Sequence, residues 1–215
     1  MIDLYTFTTP NGRKPAILLE ELKLPYIIHK IDISKGDQFT PEFIAINPNS
    51  KIPAIIDRDT GIQVFESGAI LIYLAEKAGQ FLPSTLEDRM RVLEWLMFQM
   101  ASVGPMFGQF GHFRNAAPEK LSYAIARYEQ ETFRLLGVLD RQLTAYPFVA
   151  GDYSIADIAT YPWVAAATTP YLGLSLNEFS NVQRWMEAMQ ARSAVQTGMA
   201  ILTPEFTSDY GKVKP

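Results

Sequence analysis

The sequence contains no cysteine. Structural disulfides, thiolate-held zinc, a cysteine nucleophile and a Cys-x-x-Cys redox centre are therefore excluded. Any thiol chemistry has to come from a bound thiol. Histidine is nearly as scarce: His29 falls in an expected strand and His112 in a glycine-rich stretch. Neither has a second ligand at metal spacing, so no metal site is expected. There is no P-loop, no G-x-G-x-x-G and no Ser-His-Asp order. Basic charge is not in excess, since 19 Lys and Arg against 23 Asp and Glu give a net charge of −4. That balance argues against a nucleic-acid partner. No apolar run approaches the roughly 20 residues that span a bilayer. The opening Met1-Ile2-Asp3-Leu4-Tyr5 lacks the basic and apolar regions of a secretory signal. No membrane partner is expected, and the expected location is cytoplasmic.

What is present is an ordinary globular composition, 48% hydrophobic and 20% charged, in a chain long enough for one large domain or two small ones. Residues 2–7 alternate and read as a strand. Thr8-Thr9-Pro10-Asn11-Gly12 is a turn cluster, and residues 13–24 carry a helix with Ile17, Leu18 and Leu22 on one side. Pro15 fits only if that helix has just begun. Residues 27–32 form a second strand, so the opening is a βαβ unit whose crossover implies parallel pairing. After an irregular stretch, 54–57 and 62–65 are short strands joined by Arg58-Asp59-Thr60-Gly61, and a helix runs from Glu66-Ser67 to about Ala78.

Beyond a linker at 81–87 only helical spacing remains: 88–104, a Gly/Pro interruption at 104–108, 119–146, a helix from Ser154 and another over 179–192. The fold class expected is an α/β N-terminal domain (βαβ–ββα, residues 1–80) followed by an all-α helical domain (88–203) and a polar tail (204–215). Ligands favour the groove where two such domains meet.

Four local signals carry a mechanism. Ser154 and Asp157 match a capping box, a structural helix start. Lys51-Ile52-Pro53-Ala54 puts a proline at the head of a strand, after a peptide bond open to the cis form. That is either a tight turn or a turn exposing the Ile52 backbone to an extended peptide. Glu66-Ser67 ends a strand and opens a helix. The pair either caps the helix or offers a carboxylate for a ligand ammonium beside free N–H groups for a ligand carboxylate. Thr9 and Asn11 precede the first helix, either as turn and cap or as donors where a thiolate would be stabilised.

A cysteine-free βαβ–ββα half, then K-I-P-A, F-E-S-G-A-I-L-I-Y-L-A and a helical half with Y-S-I-A-D-I, resembles a cytosolic glutathione transferase over about residues 1–200. The pieces T-P-N-G, G-D-Q-F, P-E-F, N-P-N-S-K-I-P, F-E-S-G-A-I and G-P-M-F-G-Q are similar to the bacterial nu class, described as disulfide-bond oxidoreductases. A fungal nitrogen-regulatory protein is similar in the same regions.

The resemblance implies a thioredoxin-like first domain, glutathione as co-substrate, no metal, and a homodimer. Glu66 and Ser67 would hold the γ-glutamyl end, and Ile52, before Pro53, would pair its backbone with the cysteinyl part. Lys51 and Gln38 would reach the glycyl carboxylate, and Thr9 and Asn11 would face the sulfur. Phe7 stands where the tyrosine classes have their hydroxyl, and Thr9 stands in the place of the serine classes. Arg127 matches an extra carboxylate contact that the partner subunit could supply. Met106, Phe107, Gln109 and Phe113 are candidates for the second-substrate wall, with interdomain packing as their other reading.

The reaction so implied is reduction of small disulfides by bound glutathione, one or two molecules per site. Conjugation to electrophiles and reduction of organic hydroperoxides are secondary. A regulatory or scaffold protein that keeps the fold without catalysis is the alternative. The presence of Asn11, Lys51, Pro53, Glu66 and Ser67 together favours the enzyme.

Overall fold

The computed structural model describes residues 1–214, and Pro215, the end of the expected tail, lies outside the described residues. The chain divides into two compact units, Met1–Leu82 with the segment from Ala191 onward, and Pro83–Gln190. The first is a mixed sheet with helices and the second is helical, the fold class expected.

The sheet of the first unit has strands β1 (Ile2–Thr6), β2 (Tyr26–Lys30), β3 (Ala54–Asp57), β4 (Gln63–Phe65) and β5 (Gly211–Val213) in the order β4-β3-β1-β2-β5. β1 and β2 are parallel, as their crossover through helix α1 (Pro10–Glu21) requires. β3 runs antiparallel to both β1 and β4. Helix α3 (Ser67–Ala78) follows β4 directly, and a short helix α2 (Pro41–Ile44) lies in the long connection before β3. Ile2, Leu4, Ile17, Leu18, Ile28, Ile55, Ile70 and Leu74 are fully buried and form the core between sheet and helices. Each such side chain contributes about 1.5–3 kcal/mol of burial free energy.

The segment after Pro204 supplies β5, which pairs in parallel with β2. The reason is tertiary. The Tyr26 ring lies over Gly211, where a Cβ would come within 2.4 Å of a ring carbon, so only glycine fits. The Tyr26 hydroxyl donates to Glu20 at 2.8 Å, and the Ser208 hydroxyl hydrogen-bonds the same carboxylate. The amides of Tyr210 and Gly211 in turn donate to Ser208 Oγ at 3.0 and 2.7 Å. Helix α9 (Ser193–Met199), also without a sequence signal, packs on α1 through Gly198, and Arg192 clasps Glu21 with two bonds of 2.7 and 2.9 Å.

Two sequence boundaries are corrected. α1 begins at Pro10 rather than at residue 13, because Thr9 caps it and Pro10 suits the first helical position. Pro15 is therefore inside the helix, where its ring is buried and the ladder forgoes one N–H. The Gly/Pro stretch at 104–108 does not interrupt. Helix α4 (Leu86–Phe98) passes through a π-helical turn (Gln99–Val103) into α5 (Gly104–Asn115). The widened turn accommodates Pro105, which has no N–H to give the ladder, at the start of α5. The rest of the helical unit is α6 (Ser122–Ala145), α7 (Ile155–Ala167) and α8 (Ser180–Gln190). Among the described residues, no helix is long and apolar enough to cross a membrane.

Candidate functional site

The sheet register gathers the first unit's candidate residues at one end. Tyr5 pairs with Ala54 and Ala54 pairs with Phe65. One residue further along, the same register sets Pro53 between Thr6 at the end of β1 and Glu66 at the end of β4. α1 starts at Pro10, a short turn after Thr6, and α3 starts at Ser67, directly after Glu66. Two helix N-termini, with their positive dipole ends, thus lie at the same edge as the turn before β3.

At α1, Thr9 Oγ1 accepts from the Gly12 amide at 3.1 Å, which leaves the Thr9 O–H able to donate. Gly12 is required here, since a Cβ would lie 2.1 Å from the Phe7 carbonyl oxygen. Thr6 Oγ1 donates to the Gly12 carbonyl at 3.0 Å and ties the first turn to β1. Asn11 stands at the second helical position, half-buried.

At α3, Glu66 precedes the first helical residue with φ 69° and ψ 118°, and its side chain makes no capping hydrogen bond. A glutamate in the left-handed half of the map costs roughly 1–3 kcal/mol, and such strain concentrates at functional sites. Ser67 is buried at the first helical position. Lys14, on α1, is fully buried, and its ammonium donates to Ser67 Oγ at 3.2 Å. Burial pulls the Lys14 ammonium down to about 7, against the pull of the Glu66 carboxylate in the other direction.

The loop before β3 is held by Asn47, whose amide donates to the Lys51 carbonyl at 2.5 Å and accepts from the Asn49 amide at 2.9 Å. Asn49 Nδ2 reaches Glu66 Oε1 at 3.4 Å, and Ser50 shares the positive φ of Glu66 at 54°. The Ile52–Pro53 peptide bond is cis. The Lys51 side chain is exposed and has no ion-pair partner among the described residues. Gln38 sits on a 3₁₀ turn (Asp37–Phe39), with a buried side-chain oxygen that accepts no hydrogen bond.

In the helical unit, Arg127 and Met106 line one depression of about 390 Å³ with Tyr128, Gln130, Glu131 and Arg134. Phe113 stacks on Tyr128 with ring centroids 5.5 Å apart, and Gln109 is exposed. Phe107 is fully buried, so its side chain offers no wall to a second substrate. Residues 106, 109 and 113, spaced three and four apart, share one face of α5, and residue 107 lies off it.

Residues 47–49 and Gly12 stood in the motifs above without a role of their own, and Lys14 was not singled out from the sequence. A signal existed for Lys14, which stands three and four residues before Ile17 and Leu18 and so on the apolar face of α1. Among the described residues, no cluster could hold a metal ion.

Known proteins share the sequence and the fold of this chain. The family model for the glutathione S-transferase N-terminal domain matches residues 1–76, and that for the C-terminal domain matches residues 122–188. Disulfide-bond oxidoreductase YfcG of Escherichia coli K12 is 49% identical over 212 residues, 96% of this chain and 97% of the relative. A Burkholderia graminis glutathione transferase, solved with two glutathione molecules per subunit, has a TM-score of 0.89 at 45% identity, over 94% of this chain and 89% of that one. A Pseudomonas putida glutathione transferase, solved with one glutathione disulfide per subunit, has the same score and identity over 94% and 91%. The chain belongs to the glutathione transferase family.

Proposed function

We propose that this protein is a glutathione-dependent disulfide-bond oxidoreductase, working as a cytoplasmic homodimer, with residues 1–80 as its glutathione-binding part. The observation that carries the reading is the uncapped start of α3: a strained Glu66 whose side chain makes no capping bond, and a buried Ser67, in a chain with no thiol of its own. The N-terminus of α3 and Ser67 take the γ-glutamyl carboxylate, and Glu66 takes the ammonium. The Ile52 backbone pairs with the cysteinyl part, while Lys51 and Gln38 serve the glycyl carboxylate. Thr9 donates its O–H to the sulfur, and Asn11 lies with it at the dipole end of α1, where a thiolate is stabilised.

The bound thiolate attacks one sulfur of a small disulfide. A new S–S bond forms, the old one breaks, and the departing thiolate takes a proton. A second glutathione thiolate then attacks the glutathionyl sulfur of the mixed disulfide, releasing the other half of the substrate as thiol and leaving glutathione disulfide. The protein's share is positioning and charge pairing. Arg127 and Met106 are assigned to the second ligand, and Phe107 is not. The Escherichia coli relative, a disulfide-bond oxidoreductase, and the ligands of the two solved neighbours support the glutathione-dependent disulfide reading.

Hydroxyethyl disulfide reduction, coupled to glutathione reductase, tests the reading beside a chlorodinitrobenzene conjugation assay. Disulfide turnover is expected to exceed conjugation, and Asn11→Ala is expected to lower it about 10- to 100-fold, the scale of one lost electrostatic donor. Equal turnover in Asn11→Ala and wild type removes Asn11 from the mechanism.

A further inference from the structure

Lys14, at this end of the sheet, has no part in the reaction above. A lysine without exposed surface is rare unless it is paired, because removing an ammonium from water is costly. Its neighbours on α1 (Gly12, Pro15, Ala16, Ile17 and Leu18) are buried and uncharged. Its hydrogen bond runs from Nζ to Ser67 Oγ, across from α1 to the first residue of α3. An ammonium has donors only, so the Ser67 oxygen is the acceptor in this contact and the Ser67 hydrogen points away from Lys14. Glu66 is the charged group that faces Lys14 from α3. On α1 itself the adjacent Arg13 is charged and half-buried.

We propose that Lys14 is a positioning residue of the γ-glutamyl site. Its ammonium, sealed behind Ser67, turns the Ser67 hydroxyl toward the ligand carboxylate and supplies the positive charge which that carboxylate neutralises. The inference rests on the glutathione reading above and adds to it a buried counter-charge that does not touch the ligand. A ligand carboxylate at Ser67 favours the protonated lysine. Since burial already brings Lys14 to about 7, binding above that pH draws a proton onto it. Affinity therefore falls as pH rises from 6.5 to 8.5, by up to about tenfold per unit.

The test is calorimetric titration with S-methylglutathione, which keeps the γ-glutamyl end but has no thiol to ionise. Wild type, Lys14→Met, Ser67→Ala and the double variant are compared, with melting curves for each. Lys14→Met is expected to fold, because an apolar side chain of similar length replaces a buried charge. It is expected to weaken binding about tenfold or more at pH 7, the scale of a charge-assisted hydrogen bond. It is also expected to abolish the pH dependence, and in the Ser67→Ala background its effect should shrink to less than about threefold. A purely structural lysine would move neither the pH profile nor the coupling. Wild-type affinity in Lys14→Met, or an equal loss in both backgrounds, overturns the assignment and leaves the glutathione reading standing. A wild-type chain that binds no S-methylglutathione overturns both.

Discussion

Two helix starts in this chain are built in opposite ways. At α7 the capping residues close on each other and on their neighbours. Ser154 Oγ accepts from the Ala156 amide at 3.3 Å, and the Asp157 carboxylate accepts from Ser154 N at 3.0 Å. Asp157 also takes the Val149 amide and Trp185 Nε1, both at 2.9 Å. At α3 the residue before the helix carries a carboxylate that caps nothing and holds a strained φ of 69°. The first start stabilises the fold by closing itself. The second lacks that side-chain cap, and its helix is secured elsewhere: Lys77 and Tyr73, further along α3, bind Asp57 on β3 at 2.8 and 2.6 Å. A helix anchored in this way does not depend on a side-chain cap at its N-terminus.

The largest effect that separates the two starts comes from closing residues. Asp157→Ala strips one acceptor from three buried donors, at roughly 1–3 kcal/mol each, and should lower unfolding free energy by about 3–5 kcal/mol in a denaturant titration. Its glutathione affinity, measured below the transition, should stay at the wild-type value. A parallel loss of affinity would erase the contrast.

The anchor of α3 comes next. Burial alone would raise the Asp57 carboxyl, but the bonds from Lys77 and Tyr73 hold it down to about 2. A carboxyl depressed in the folded state stabilises above its unfolded value near 4, and that contribution is lost as pH falls through about 2. Wild type should therefore lose roughly 2 kcal/mol between pH 5 and pH 2 that Asp57→Asn does not lose, visible as converging stability curves. Curves that stay parallel would detach Asp57 from the anchor.

The smallest effect has the opposite sign. Glu66→Gly relieves the backbone strain and should raise stability by about 1 kcal/mol while weakening glutathione. A destabilised Glu66→Gly would mean that Glu66 serves the fold.

The same contrast explains what the sequence made legible. The capping box at Ser154 and Asp157 and the bounds of α3 are local devices, so the residue string displays them. The T-P-N-G, N-P-N-S-K-I-P and F-E-S-G pieces carried the family resemblance, and the register of β1, β3 and β4 brings them to one end of the sheet. The illegible parts depend on contacts far along the chain. Three residues of β5 form a strand only because Gly211 fits beneath Tyr26. Gly198 admits α9 against Ile17, and nothing near either residue signals it. Periodicity marked position 14 as interior, and no local rule places an ammonium there. Phe107 is the converse: it read equally as wall or packing, and only its burial decides.

The central claim is that the sulfur which this chain lacks arrives on a ligand held by its charged end at α3. The direct measurement is the rate of hydroxyethyl disulfide reduction against glutathione concentration, in wild type and in Glu66→Ala. The account predicts a rate that saturates in wild type, with half-saturation moved up about tenfold or more in Glu66→Ala, as loss of a charged hydrogen bond worth roughly 1.5–3 kcal/mol requires. A rate that climbs without saturating, no faster than the reaction in buffer and the same in both proteins, would contradict it.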